Sequence, residues 1–204
     1  MQVRNEFERG LLTYFSPQEL TKIQRTKIGI AGVGGLGSNI ANIMVRTGFT
    51  NFELVDLDKI EASNLNRQNY FLDEIGQLKV AATNKRLKQI NPDLSIKTAA
   101  TYLTTQNIKN YFQDCSILFE AFDKAAAKKM LFEAFASSDK LLIFGNGMAG
   151  INNHELTIKK INDHVFMVGD QVTNVGSDNP PLAPKVVACA ALMANIAVNF
   201  ILKG

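Results

Sequence analysis

The stretch "GVGGLGSN", residues 32–39, follows a short apolar run, "KIGIA", and precedes apolar residues at helical spacing. A chain carrying it must end a strand, turn within a few residues and start a helix. Gly32, Gly34 and Gly37 give the G-x-G-x-x-G spacing. The first glycine permits the tight turn, the second lets backbone approach a phosphate, and the third lets the helix pack closely on the strand. The helix N-terminus then offers free N–H groups and a positive dipole end to an anion. Asp56 closes the next apolar run about 20 residues on, where a carboxylate accepts hydrogen bonds from ribose hydroxyls.

The same alternation continues along the chain. "KIGIA", "FELVDLD", "LSIKTAA", "CSILFEAF" and "KLLIFGN" read as strands, interleaved with helical stretches at 36–47, 78–90 and 124–137. This order predicts an α/β chain with a Rossmann-like, doubly wound, mainly parallel sheet and right-handed crossovers. "HELTIKK" and "HVFMVGD", separated by "IND", predict an antiparallel pair appended to it. Upstream, "SPQELTKIQ" reads as a helix with Ser16 as N-cap, Pro17 first and Glu19 completing a capping box. A polar arm precedes it, and arm and helix together fill residues 1–26. "GNGMAG" reads as a flexible turn, and a Gly/Ser/Asn/Pro-rich loop fills 173–184. A closing helix carries Ala188, Ala191, Ala194 and Ala197, expected to form one packed stripe against the sheet or across a dimer. One domain over residues 1–204 accommodates everything.

A net charge of +3 gives no case for nucleic acid or a membrane surface. The two cysteines, Cys115 and Cys189, form no CxxC pair, so a four-thiolate zinc site is excluded. Both read as packing residues. His154 and His164 read as surface or hairpin residues. The apolar stretch "VVACAALMANIAVNFIL" is interrupted by Asn195 and Asn199 and is expected to fall short of a membrane span. A soluble, cytoplasmic protein is the expectation.

Read alone, the glycine loop opens the reading of an NAD-dependent oxidoreductase. The next stretch, "LDKIEASNLNRQNYF", redirects it. Asn64, Arg67 and Gln68 lie within five residues, leaving the carboxyl edge of the strands beside the phosphate loop. Arg67 supplies a planar fork for phosphate oxygens, and Asn64 and Gln68 supply neutral contacts. Lys79 opens the next helix as a second cation, and Asp123 follows the fourth strand at the same edge. Two cations and an acid around a polyphosphate suit in-line attack at an α-phosphate. There the growing charge needs fixed cations and a Mg²⁺ that Asp123 can hold.

These residues resemble a known family. "GxGGLGSN…VDxDxIExSNLNRQ…IGQLKV…INP" is similar to the ThiF/MoeB/HesA adenylyltransferases, relatives of the ubiquitin-activating enzymes, over nearly the whole chain. "NEFERGL", "LFEAFDKAAAKKML", "GNGMAG" and "APKV" look most like the short, family 2 form of ThiF in thiamine biosynthesis. The resemblance implies an ATP-dependent enzyme that adenylates the C-terminal glycine carboxylate of a small β-grasp sulfur carrier, ThiS, and releases pyrophosphate. A molybdopterin-type carrier or the substrate of a tRNA-modifying relative stands as the alternative within that chemistry. It implies a nucleotide loop of Gly32, Gly34, Gly35 and Gly37, with Asp56 on the ribose and Asn64, Arg67, Gln68 and Lys79 around the phosphates. It further implies Asp123 on Mg²⁺, and Arg9 reaching across a homodimer interface. Fuller relatives carry two zinc-binding CxxC pairs that this chain lacks, so no zinc is expected.

Overall fold

The chain is built around strand β1 (Lys27–Ala31), which is buried from its second residue onward. A computed structural model describes residues 3–203; Met1, Gln2 and Gly204, the ends of the expected domain and arm, lie outside the described residues. β1 pairs in parallel with β2 (Asn51–Val55) on one side and β4 (Ile117–Glu120) on the other. β3 (Ser95–Ala99) and β5 (Leu141–Gly145) extend the sheet outward. The full order is β3-β2-β1-β4-β5-β7-β6, completed by β6 (Thr157–Asn162) and β7 (Val165–Gly169). The hairpin enters in an order the sequence does not reveal. Its second strand, β7, lies parallel beside β5, and only β6 runs antiparallel. Burial decides this: β7 brings Val165 and Val168 into the interior, whereas β6 is exposed throughout. Lys159 and Lys160 on that edge discourage pairing with another chain.

Successive strand residues face opposite layers, and each layer has its own core. Ile28, Ile30, Ile117, Phe119 and Ile143 face α3 (Gly35–Arg46), α4 (Lys79–Ile90) and α7 (Ala183–Lys203). Ala31, Leu118 and Leu142 face α5 (Ile108–Phe112) and α6 (Ala125–Phe135). Helices on both faces of a parallel sheet are the doubly wound architecture expected.

α2 (Pro17–Arg25) starts with the expected capping box, Ser16 and Glu19 bonding each other's backbone N–H. α1 (Glu6–Leu11), capped by Asn5, occupies most of the stretch read as a polar arm. α1 and α5 are one to two turns long, too short for apolar periodicity to register.

α7 departs from expectation twice. Its alanines do not form one packed stripe: Ala194 and Ala197 are buried, but Ala188 and Ala191 face solvent. A step of three residues turns the helix by about 300°, so four alanines so spaced sweep half its circumference. At 21 residues and a mean hydropathy of 1.9, α7 also has the length and composition of a membrane span, contrary to the sequence reading. Here it packs as a core helix, with Val186, Cys189, Ala190 and Met193 in the larger apolar cluster. The loop read as 173–184 ends two residues early, because Ala183 and Pro184 already belong to α7.

Candidate active site

The β1–α3 turn has the geometry its glycines require. Gly32 sits at φ +92°, and its N–H donates to the Val55 carbonyl at 2.8 Å. A Cβ on Gly37 would overlap the Gly32 carbonyl oxygen, so α3 can start here only with glycine at that position. α3 has no side-chain cap, which leaves its first N–H groups available to an anion. Asp56, just past β2, accepts the Val33 N–H at 2.7 Å and the Asp58 N–H at 2.8 Å. It therefore braces the loop. Burial raises its pKa, opposed by those two N–H groups and by the nearby Lys79 ammonium.

The 62–70 segment is stitched to this loop. Asn39 donates to the carbonyls of Gly35 and Arg67, at 2.6 and 2.9 Å. Ser38 accepts the Asn69 N–H, and the buried Tyr70 hydroxyl donates to the Val33 carbonyl at 2.6 Å. Asn64 is buried and accepts the Glu61 N–H. Arg67 lays its aliphatic stem beside Gly35 and bonds the Ser63 carbonyl and Asn66 through its guanidinium. Gln68 is buried against Gly34, and its Oε1 has no partner among the described residues. A buried amide oxygen of this kind calls for a hydrogen-bond donor, from water or from a bound molecule.

Lys79 opens α4 with only 7% of its side chain exposed, and its ammonium is 2.8 Å from Asp58. Asp58 was passed over in the sequence; its partner lies 21 residues away, beyond any local pattern. Asp123 is exposed on the turn after β4 and makes no hydrogen bond or ion pair among the described residues. That turn touches the glycine loop, for a Cβ on Gly32 would lie 2.9 Å from the Ala121 carbonyl oxygen. The structure thus gathers Gly32, Gly34, Gly35, Gly37, Asp56, Asn64, Arg67, Gln68, Lys79 and Asp123 at the carboxyl ends of β1, β2 and β4. Arg9 is the exception: it is exposed on α1 and, among the described residues, pairs only with Glu6, at 3.3 Å.

A strap formed by residues 170–182 walls this edge. Lys185, in the first turn of α7, donates to Asp170 at 2.7 Å, Asn152 at 2.9 Å and the Ala149 carbonyl at 3.2 Å. Burial alone would raise the Asp170 pKa, but Lys185 and the Thr173 and Val172 N–H groups hold it well below the carboxylate range. At the far end, Asn66 donates to the Pro181 carbonyl, so the strap meets the 62–70 segment. "GNGMAG" is consequently more than a turn. It seats the strap, with the Gly147 carbonyl accepting the Asp170 N–H at 2.8 Å. Cys115 and Cys189 are buried, and burial pushes both thiols up to about 12, out of the reactive range. A hollow of about 230 Å³ among Arg25, Lys27, Asn51, Ser95 and Lys97 lies at the amino ends of the strands, away from the loop.

Fold and site together define a Rossmann-like α/β domain whose glycine loop is locked to a polar segment after β2. The sequence matches the ThiF family over residues 8–203, and the chain belongs to that family. It is 27% identical over 143 residues to the tRNA threonylcarbamoyladenosine dehydratase of Haemophilus influenzae, covering 69% of this chain and 54% of that protein. It is 26% identical over 136 residues to the sulfur carrier protein adenylyltransferase of Thermus thermophilus, covering 66% and 50%. The chain spans about half the length of these curated relatives. Its structure superposes on that of E. coli tRNA N6-threonylcarbamoyladenosine dehydratase in complex with ATP with a TM-score of 0.86. That likeness covers 99% of this chain and 98% of the other at 22% identity, and shows a shared fold.

Proposed function

We propose that this protein is an ATP-dependent adenylyltransferase that activates the terminal carboxylate of a small sulfur carrier of the ThiS type, releasing pyrophosphate. The observation that carries the reading is the lock between the glycine loop and the 62–70 segment. It sets Arg67 and the unpartnered Gln68 against the loop, with Lys79 and Asp123 at the same edge. A dinucleotide needs the loop and Asp56 alone. Cations past β2 and a free carboxylate past β4 suit a triphosphate whose α-phosphorus is attacked.

In this mechanism a carboxylate oxygen bonds to the α-phosphorus as the bond to the β-phosphate oxygen breaks, and pyrophosphate leaves. The α3 N-terminus holds the phosphates, and Asp56 takes the ribose with its remaining lone pairs. Arg67 and Lys79 neutralise the leaving pyrophosphate, Lys79 turning from Asp58 to a phosphate oxygen. Mg²⁺ fits the donors present: it keeps most of its waters and needs one or two carboxylates besides phosphate oxygens, and Asp123 has such a carboxylate. When bound it supplies further charge neutralisation at the phosphates.

The reading includes a cytoplasmic homodimer in which Arg9 serves the partner's nucleotide. Support comes from the exposure of Arg9 and from the exposed apolar run of Phe71, Leu72, Ile75 and Leu78 beside the site. A tRNA-borne carboxylate is the second reading, favoured by the fold shared with the E. coli dehydratase. The experiment is exchange of labelled pyrophosphate into ATP. It is run with a ThiS-type carrier ending in Gly-Gly, a molybdopterin-type carrier and modified tRNA in separate reactions. Exchange only with the ThiS-type carrier is expected. Exchange only with tRNA moves the substrate to the second reading, and no exchange with tight NAD binding overturns both.

A further inference from the structure

Glu120 ends β4 with its carboxylate fully buried at the carboxyl edge. Its Oε1 accepts the Phe122 N–H at 2.6 Å, and the Lys128 ammonium donates to its two oxygens at 3.0 and 2.8 Å. Lys128 reaches on to the Gly145 carbonyl at the end of β5, 3.0 Å away. The pair therefore joins two strand ends, α6 and the turn that carries Asp123. The other side of that turn rests on the glycine loop through Ala121 and Gly32.

Stability gives no reason for charges here. Well-packed apolar residues in place of a buried ion pair are often neutral or stabilising. Leu118 and Phe144, on the same face of the sheet, are buried and apolar, and an apolar residue at 120 would extend that core. What it would not supply is an acceptor for the Phe122 N–H. Asp123, one residue further, is left unbonded although α6 begins at Ala125 with no side-chain cap. Lys124 holds the N-cap position, so the Asp123 carboxylate, one residue before it, is not engaged by the helix end.

We propose that Glu120, anchored by Lys128, is a positioning residue for Asp123: it fixes the 121–123 turn through the Phe122 N–H and presents the Asp123 carboxylate beside the glycine loop. The assignment deepens the adenylyl-transfer reading and rests on it.

Two double variants separate positioning from packing. Glu120→Met with Lys128→Met removes both charges and the acceptor at nearly constant volume. Glu120→Gln with Lys128→Met removes both charges and keeps an acceptor for Phe122. The methionine pair is expected to fold, to keep the KM for ATP, and to lose about 10- to 100-fold in kcat for pyrophosphate exchange. The glutamine variant recovers most of that loss. Hydrogen exchange at the Phe122 amide accelerates in the methionine pair alone. Equal kcat in the two variants, or equal protection of the Phe122 amide, overturns the assignment. Should the methionine pair not fold, Glu120→Ala with Lys128→Met makes the same comparison. A native protein without exchange activity removes the reaction, whereas the Phe122 amide still reports whether Glu120 pins the turn.

Discussion

Gly37→Ala is expected to abolish ATP binding and to destabilise the protein by about 3 kcal/mol, the upper part of the range for overpacking a tight interior. The added methyl would fall inside the Gly32 carbonyl oxygen, and both atoms belong to the turn that ends β1 and starts α3. Neither can yield, because the Gly32 N–H is bonded to β2 and α3 lies against the larger apolar cluster. The helix must tilt away, carrying the N–H groups that hold the phosphates. Urea unfolding and ATP titration measure the two effects. Gly10→Ala is the control: nothing lies within 4 Å of its added methyl, and alanine favours the helix by about 0.5–1 kcal/mol. Native ATP affinity in Gly37→Ala would remove the loop from the binding site.

Asp123→Asn is expected to lower the rate of pyrophosphate exchange by about 10²–10³-fold, the magnitude typical of removing one charge-stabilising group from an active site. Stability should hardly change, since the side chain is exposed and unbonded among the described residues. ATP should still bind, held by the loop, Asp56 and Arg67. Steady-state exchange with a parallel thermal melt measures both. An unchanged exchange rate would take Asp123 out of the chemistry. A rate loss matched by loss of folding would make it structural.

What the sequence disclosed was local. The glycine loop was legible because the spacing of three glycines encodes a backbone path. Asp56 was legible because it stands at a fixed distance past the next strand. Arg67, Gln68 and Lys79 could be placed at the site once parallel strands put every such loop on one edge. The pairings that span the chain were not legible. Nothing in the sequence around Asp58 points to Lys79, and only the return of the chain at Leu78 sets the two together. Glu120 lay hidden in an apolar run, and its charge makes sense only with Lys128 beside it. Lys185 meets Asp170 only because the strap folds back across a sequence separation of 15 residues to bring the two within 2.7 Å. The insertion of β7 next to β5 belongs to the same class, because strand order depends on which strand brings apolar side chains to the core.

The central claim is that a carboxylate attacks the α-phosphorus of ATP, and the fate of its oxygen tests this. A carrier with ¹⁸O in its C-terminal carboxylate is incubated with the protein and ATP, and the acyl group is captured with hydroxylamine, which breaks the bond between the acyl carbon and the bridging oxygen. Mass spectrometry of the released nucleotide and phosphate then locates the label. Attack at the α-phosphorus predicts AMP carrying one ¹⁸O and unlabelled pyrophosphate. Label in inorganic phosphate with ADP as the nucleotide product would place the attack at the γ-phosphate and contradict adenylation.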